Sequence, residues 1–383
     1  MNNMNQKMID AVIEKAERVC PGSLALIGVY GSVATGDEYA KSDLDLLILI
    51  QDDNGWQLGT AFILDDNKVG YDIYCTNWGG LKYDAECHHA QISKLMDSKI
   101  VYVKNQNAYD ELCKLRERTK HFLVSEKRFQ NVNDLIDKAK ISFANAHLHE
   151  ELGQVRMDVF GVMYYLMDAV MLFHGRYFKR GTKRMLEELE SLPINEFFVD
   201  NIKGIVTSKD VSELRTLSKS LLLYAEKNLI HEKDKKEPSE SLTGTYEETY
   251  SNWRNKVEEA AEQNNVFASF MNMCNLQNMF TEISSEYSIG TYNIMEEYNP
   301  DCLEDNVRLF DKCLQKYQEV YKTVGLEIKR FSSVDEFVCF LQALFGQNCK
   351  IFLDIVAKRF WTLLHVQIGQ SCNAPAGCVI NQP

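Results

Sequence analysis

The chain has 383 residues, of which 45% are hydrophobic and 25% charged, and its formal net charge is −13. That length and apolar content predict two or three domains, each with a core of its own. The acidic balance argues against a polynucleotide partner, because Lys and Arg contacts to phosphates supply most of the affinity for nucleic acids.

No segment reaches the roughly 18 uncharged apolar residues that a membrane-spanning helix needs. The first seven residues lack the basic and then apolar pattern of a signal peptide. The eleven cysteines are scattered without zinc-type spacing, which suits reduced thiols used as small apolar side chains. We therefore expect a cytoplasmic protein with no membrane contact.

The chain begins with a predicted helix that carries one apolar stripe and ends at Pro21-Gly22. An apolar run over residues 24–30 predicts a strand that leads directly into Gly31-Ser32. A second apolar run, over residues 44–50, is bounded by a polar turn and predicts a buried strand.

Between those two strands, residues 31–45 read GSVATGDEYAKSDLD. Gly31 and Ser32 form a turn with little side chain, where backbone N–H groups can approach phosphate oxygens. Asp43 and Asp45 alternate with a leucine at the start of the second strand, so their carboxylates project to the same face. Hard oxygen ligands at that spacing suit Mg²⁺. The segment predicts a site for a metal-bound triphosphate.

The later part of this region alternates between turns and regular elements. Asp65-Asp66-Asn67 predicts a hairpin turn, and Asp72 lies within a strand-like alternation over residues 69–74. A helix is predicted over residues 81–96 and a last strand over Lys99–Val103. This order predicts a small mixed sheet backed by helices.

A Gly-Ser pair, ten residues, Asp-hydrophobic-Asp and a later acid on a strand resemble the DNA polymerase β-like nucleotidyltransferase superfamily. The resemblance covers about residues 1–125. Within the superfamily, the sequence is most similar to the bacterial branch of aminoglycoside, lincosamide and minimal nucleotidyltransferases, and the matching positions are Gly31, Ser32, Ala34, Gly36, Ser42, Asp43 and Asp45. Thr35 departs from the family pattern, in which a basic residue is common at that position.

The resemblance implies an α+β fold in which a small mixed-sheet nucleotidyltransferase domain precedes a C-terminal helical bundle. It implies transfer of a nucleoside monophosphate from an NTP, with ATP expected, to a hydroxyl group, with release of pyrophosphate. Asp43 and Asp45 would bind Mg²⁺ in a two-ion site. Asp72 would either join the catalytic metal or accept the proton of the attacking hydroxyl, and Gly31 and Ser32 would hold the β and γ phosphates.

After the last predicted strand, apolar residues recur at helical spacing. We predict a nucleotidyltransferase domain over residues 1–125 and a helical bundle that closes the cleft over residues 126–232. A charged linker follows and extends to residue 245. A second helical block then spans residues 246–368, and residues 369–383 form a loose polar tail.

Residues 155–173 are apolar on nearly every side and predict a central buried helix of the bundle. Asp158 and Asp168 within it either bind an amino group of an acceptor or pair with a Lys or Arg of the bundle. A basic stretch over residues 175–184 follows. By the resemblance, Lys183 is the candidate to reach the triphosphate, and a solvated helix start is the alternative.

The second helical block shows no catalytic motif. Two apolar stripes, over residues 307–321 and 337–345, predict packed helices, and the Met- and Phe-rich residues 267–273 favour a core segment over a cofactor site.

Three functions stay open at this stage. In the first, the partners are an NTP and a small-molecule acceptor, which could be an aminoglycoside-like antibiotic, and the acidic charge would attract a cationic molecule. The second is nucleotidylation of a protein or tRNA, or synthesis of a nucleotide signal, in a toxin or defence system. The third is a catalytically silent nucleotide-binding module. The sequence leaves the oligomeric state open.

Overall fold

A computed structural model describes residues 3–66, 68–230 and 235–345 of the chain. The chain divides into two compact units, residues 1–232 and residues 233–383. The protein is α+β, with a small mixed sheet near its N-terminus followed by a large helical region, which confirms the predicted fold class.

The first unit contains the sheet, a hairpin and the first group of helices. Its strands are β1 (Leu24–Val29), β2 (Leu46–Ile50), β3 (Thr60–Leu64), β4 (Val69–Ile73), β5 (Cys75–Thr76) and β6 (Lys99–Val103). Its helices are α1 (Asn3–Val19), α2 (Gly31–Thr35), α3 (Trp78–Ala85), α4 (Ser93–Met96), α5 (Gln106–Val124), α6 (Arg128–Leu148), α7 (Leu152–Phe173), α8 (Thr182–Glu190), α9 (Glu196–Thr207) and α10 (Val211–Asn228).

The sheet has the strand order β5-β2-β1-β6, in which β2 and β5 are parallel and the other neighbours are antiparallel. Every residue of β1 and β2 is buried, since helix α1 and the hairpin cover one face and helices α3 to α5 cover the other. Burial on both faces explains why these strands read as continuous apolar runs.

The hairpin of β3 and β4 is a separate two-stranded sheet. Burial alternates along β4, so that Val69, Tyr71 and Ile73 join the core with β1 and β2 while Gly70 and Asp72 are exposed. This is the period-2 pattern of a half-buried strand.

The helix predicted over residues 81–96 is wrong, because the chain leaves the helical path after α3 and resumes it only at α4. Cys87 has a left-handed backbone with φ +54°. Its carbonyl accepts a hydrogen bond of 2.8 Å from the amide of Asn131, and the Ala90 carbonyl accepts one of 2.9 Å from the N–H of Phe178. Long-range hydrogen bonds thus replace the helical ones in this segment.

The helical part of the first unit packs around α7, and its core includes Cys87, Ala90 and Ile92 from the segment between α3 and α4. The prediction that α7 is buried on nearly every side holds only for its C-terminal half. In the N-terminal half, Met157 is 62% exposed and Phe160 is 47% exposed. The segment 87–92 therefore joins the sheet region to the helical core.

The second unit is helical over its described part. It contains α11 (Thr245–Thr249), a π-helical turn (Tyr250–Arg254), α12 (Asn255–Glu262), α13 (Val266–Glu286), α14 (Leu303–Thr323) and α15 (Val334–Phe345). The stripe predicted along α14 is confirmed, because Phe310, Leu314, Tyr317 and Tyr321 are buried in the core of this unit.

Other predictions for the second unit fare less well. The linker predicted up to residue 245 stays largely exposed over residues 236–241, but it is joined to the second unit, since the Lys236 backbone bonds to that of Glu286 and Leu242 is buried. The segment 267–273 is only partly core, because Phe267 is 74% exposed while Met273 is buried. On α15, Phe337 and Phe340 are exposed.

The last part of the second helical block and the predicted tail, residues 346–383, lie outside the described residues. Within the residues that the structure describes, no helix is both long enough and apolar enough to span a bilayer.

Candidate active site

The turn at Gly31 lies against Asp45 because β1 and β2 are antiparallel neighbours. Their register ends with Val29 opposite Leu46, and the Tyr30 N–H donates to the Asp45 carbonyl at 3.1 Å. Gly31 has φ +65°, and a Cβ on it would lie 1.9 Å from Oδ2 of Asp45. Backbone conformation and space both require glycine here.

Asp45 is partly buried, and the backbone N–H of Ser32 donates to its carboxylate. The pKa of Asp45 is raised to about 6, mainly by burial and next by the negative charge of Asp43, while the Ser32 hydrogen bond opposes both. Two neighbouring carboxylates of this kind repel each other, and a bound cation would relieve that repulsion.

Asp43 and Asp45 lie three residues and one residue before the first residue of β2, Leu46, so the strand predicted over residues 44–50 begins two residues later than expected. Leu44 between them is buried, whereas Asp43 is exposed and Asp45 is partly exposed. The residues therefore alternate between the two sides of the chain even before β2 begins, and both carboxylates lie on the same side.

Asp72 is exposed on β4, opposite Ala61 of β3. Asp43 and Asp72 line the same open pocket of about 630 Å³, together with Ala61, Phe62, Ile63, Gly70 and Tyr71. The hairpin thus presents its carboxylate toward the space that the Asp43 side chain also faces.

Tyr30 lies among these acids at the end of β1. Burial is the main cause that raises the pKa of its phenol to about 12, and the negative charges of Asp45, Asp84, Asp43 and Asp72 follow in that order. Tyr30 therefore stays a neutral hydroxyl next to the carboxylates.

Within the described residues, no group of three or more His, Cys, Asp or Glu side chains is placed so that it could hold a metal ion, so Asp43, Asp45 and Asp72 are not brought together as a complete ligand set. The chemistry of the donors still suits a hard divalent cation, because Asp43, Asp45 and Asp72 offer only carboxylate oxygens. The mutual repulsion of Asp43 and Asp45 is the electrostatic feature that such a cation would remove.

Helix α2 is a single turn that ends at Gly36, where φ is +78°. The Ser32 carbonyl accepts from the N–H groups of Gly36 and Asp37 at 2.9 and 3.0 Å. The hydroxyl of Thr35 turns back to the Gly31 carbonyl at 3.2 Å, so this side chain adds no positive charge to the turn.

Lys183 lies in the first turn of α8, and its Nζ is 5.8 Å from the ring centroid of Tyr39, in the loop after α2. Nε of Arg180 and Nε of Arg184 lie 3.3 and 3.6 Å from the Asp37 carboxylate. The structure therefore brings the basic stretch beside the loop that follows the Gly-Ser turn.

The sequence did not single out Asp37, Arg180 or Arg184, since no local pattern links residues so far apart in the chain. It also missed Tyr30, although that tyrosine directly precedes the Gly-Ser pair.

Among the described residues, the two aspartates of α7 form no ion pair with Lys or Arg, which one alternative predicted. Asp158 lies 2.7 Å from Nδ1 of His149. Asp168 is fully buried and accepts from Nε2 of Gln91 at 2.5 Å. Burial raises the pKa of Asp168 to about 7, against the opposing effect of the Gln91 hydrogen bond.

No protein-family model and no curated protein matches this chain. Among solved structures, the chain is similar to a nucleotidyltransferase-like protein from Exiguobacterium sibiricum, with 12% sequence identity and a TM-score of 0.36 over 74% of this chain and 92% of that one. A likeness of that size does not by itself indicate an activity.

Proposed function

We propose that the protein is a metal-dependent nucleotidyltransferase that moves a nucleoside monophosphate from an NTP, with ATP expected, to a hydroxyl group of a small molecule. The arrangement that supports this most is Asp45 held against the side-chain-free Gly31 turn, next to Asp43, with Asp72 facing the pocket that Asp43 lines. Carboxylates beside a turn with little side chain suit a metal-bound triphosphate.

In the proposed reaction, the acceptor oxygen attacks the α phosphorus, the bond to the β-phosphate oxygen breaks, and pyrophosphate leaves. The acceptor proton goes to a base, for which Asp72 is the candidate because it is exposed at the pocket. Gly31 and Ser32 would hold the β and γ phosphates, and Asp43 and Asp45 would bind the metal. Such transfer depends mostly on positioning and on neutralising charge.

Magnesium bound to these carboxylates would neutralise charge on the attacking and leaving oxygens. The protein keeps those carboxylates in place through the β1–β2 register and the close packing of Asp45 on Gly31. The net charge of −13 favours a cationic acceptor over a polyanion.

The test is to incubate the protein with each NTP, Mg²⁺ and a panel of aminoglycosides, lincosamides and other hydroxyl-bearing acceptors. Pyrophosphate release and the mass gain of a nucleoside monophosphate are then measured. The double variant Asp43→Ala/Asp45→Ala should lose Mg²⁺-dependent pyrophosphate release by at least about 1000-fold, since both proposed metal ligands are gone.

The matched control is Asp65→Ala/Asp66→Ala, which removes the same charge from two exposed positions in the nearby hairpin turn. It should keep wild-type turnover. Retained turnover in the Asp43/Asp45 double variant would refute the metal assignment. Tight NTP binding without any adduct would instead indicate a nucleotide-binding module.

A further inference from the structure

Asp37 connects the Gly-Ser turn to the basic stretch. Its N–H donates to the Ser32 carbonyl at 3.0 Å, so its backbone is fixed one helical turn after the proposed phosphate site. Its side chain is only 15% exposed and faces Arg180 and Arg184. A carboxylate whose backbone is bonded to the Gly-Ser turn therefore contacts two arginines.

The two arginines share a second carboxylate, that of Glu187 on α8. Nη1 of Arg184 lies 2.5 Å from it, and Nη1 of Arg180 lies 4.0 Å from it. The four side chains carry two positive and two negative charges. Glu187 is 52% exposed, whereas Asp37 is largely shielded from solvent.

The contacts between Asp37 and the arginines are ion pairs without hydrogen bonds. Oδ2 of Asp37 and Nε of Arg184 are both buried, and neither has a hydrogen-bond partner among the residues that the structure describes. Unsatisfied buried polar atoms are rare, and a charged donor left in this state would gain from a new acceptor. A planar guanidinium is well suited to phosphate oxygens.

We propose that Asp37 is an exchangeable counter-ion, which holds Arg180 and Arg184 beside the Gly31–Ser32 turn and gives them up to the terminal phosphates of a bound triphosphate. This inference rests on the proposed function, because it concerns the phosphate end of the same site. In this proposal Arg180 and Arg184 supply the positive charge that binds the triphosphate, whereas Lys183 lies beside the Tyr39 ring.

One consequence is that Asp37 competes with the ligand. Binding of a triphosphate must break the ion pairs of Asp37 before the arginines can bind phosphate. Removing the negative charge of Asp37 should therefore tighten binding, while removing the arginines should weaken it. A salt bridge with a purely structural role predicts no gain in affinity from the loss of Asp37.

The experiment is calorimetric titration of inorganic tripolyphosphate into the full chain, in buffer with EDTA so that the metal ligands play no part. Asp37→Asn should bind tripolyphosphate about 5-fold more tightly than wild type, since an ion pair between partly exposed side chains is worth up to about 1 kcal/mol. Arg180→Gln/Arg184→Gln should bind at least about 10-fold more weakly. Thermal melting of each variant confirms that it is folded.

Glu187→Gln is the matched control, because it removes the same charge from the same arginines on a more exposed side chain. We expect less than a twofold change. Equal gains from Asp37→Asn and Glu187→Gln would mean that only local charge matters and would overturn the proposal. So would unchanged or weaker binding in Asp37→Asn, or no binding to any variant at millimolar tripolyphosphate.

If the arginine double variant fails to fold, Arg184→Lys tests the same point, and unchanged affinity in it would count against the proposal. Because the titration contains no metal and no acceptor, its result is independent of turnover. If the protein shows the expected affinities but releases no pyrophosphate, the counter-ion role of Asp37 is supported and the proposed nucleotidyltransferase function is refuted.

Discussion

Replacement of Gly31 by alanine tests whether the fit between the turn and Asp45 matters for activity. Gly31 has a left-handed backbone, and an added Cβ would lie 1.9 Å from Oδ2 and 2.6 Å from Cγ of Asp45. Heavy atoms that are not bonded to each other do not approach so closely. The Asp45 carboxylate must therefore move away from the turn or lose the hydrogen bond from Ser32.

The size of the effect follows from that displacement. To reach an ordinary contact, the carboxylate has to move by at least about 1 Å, and a misplacement of that size can cost about 100-fold in rate. This corresponds to about 2.7 kcal/mol of transition-state stabilisation. The left-handed backbone adds a stability cost of about 1–2 kcal/mol for alanine.

Gly36→Ala separates the two effects. Gly36 is also left-handed, with φ +78°, but a Cβ there meets no atom within 4 Å. Both variants should lose about 1–2 kcal/mol of stability in urea unfolding, whereas only Gly31→Ala should lose about 100-fold in kcat/KM for Mg²⁺-dependent pyrophosphate release. Equal kcat/KM values for the two variants would refute the role of the Gly31–Asp45 contact.

Two further predictions concern buried groups outside the turn. Burial raises the folded-state pKa of Asp168 to about 7, above an unfolded value near 4. Between these two pH values the folded protein holds one more proton than the unfolded chain, so the free energy of unfolding falls as the pH rises from about 4 to about 7, by up to about 4 kcal/mol. Asp168→Asn should remove that part of the pH dependence in urea unfolding at pH 5 and pH 7.5, and an unchanged pH dependence would contradict the assignment. In the second unit, the Tyr321 hydroxyl donates to the Leu242 carbonyl at 2.5 Å and accepts from the Tyr246 N–H at 2.9 Å. Tyr321→Phe leaves the buried Tyr246 N–H without this acceptor, whereas the Leu242 carbonyl keeps a bond of 2.7 Å from the Thr245 hydroxyl. The variant should cost about 1–3 kcal/mol of unfolding free energy, and a loss below about 0.5 kcal/mol would show that the Tyr246 N–H finds another partner.

The sequence predicted the strands well because their patterns are local and have a simple physical origin. Strands β1 and β2 are buried on both faces and therefore read as unbroken apolar runs, whereas β4 is half-buried and alternates. Strand β6 was predicted with its observed bounds. A turn between neighbouring antiparallel strands is likewise local, so the approach of Gly31 to the segment before β2 follows from the order of elements.

The break between α3 and α4 could not be predicted in the same way. Its residues have helical spacing, but Asn131 and Phe178 bond to backbone carbonyls there from 44 and more residues away in sequence. Such tertiary hydrogen bonds override a local preference for helix. The same reasoning applies to Asp168, whose partner Gln91 is 77 residues distant.

The residues of the proposed site also differ in how far they could be predicted from local sequence. Its carboxylates come from one short segment and a hairpin, so a motif and a strand pattern were enough to suggest them. Its positive charges come from a segment much later in the chain, since Asp37 meets Arg180 and Arg184 only where the start of α8 and the residues before it lie against the loop after α2. The Thr35 hydroxyl donates to the Gly31 carbonyl, and the side chain carries no charge. The positive charges for a triphosphate must then come from Arg180 and Arg184, which are far from the turn in sequence. In the proposal, Asp37 acts as their counter-ion and holds them in place until the ligand binds.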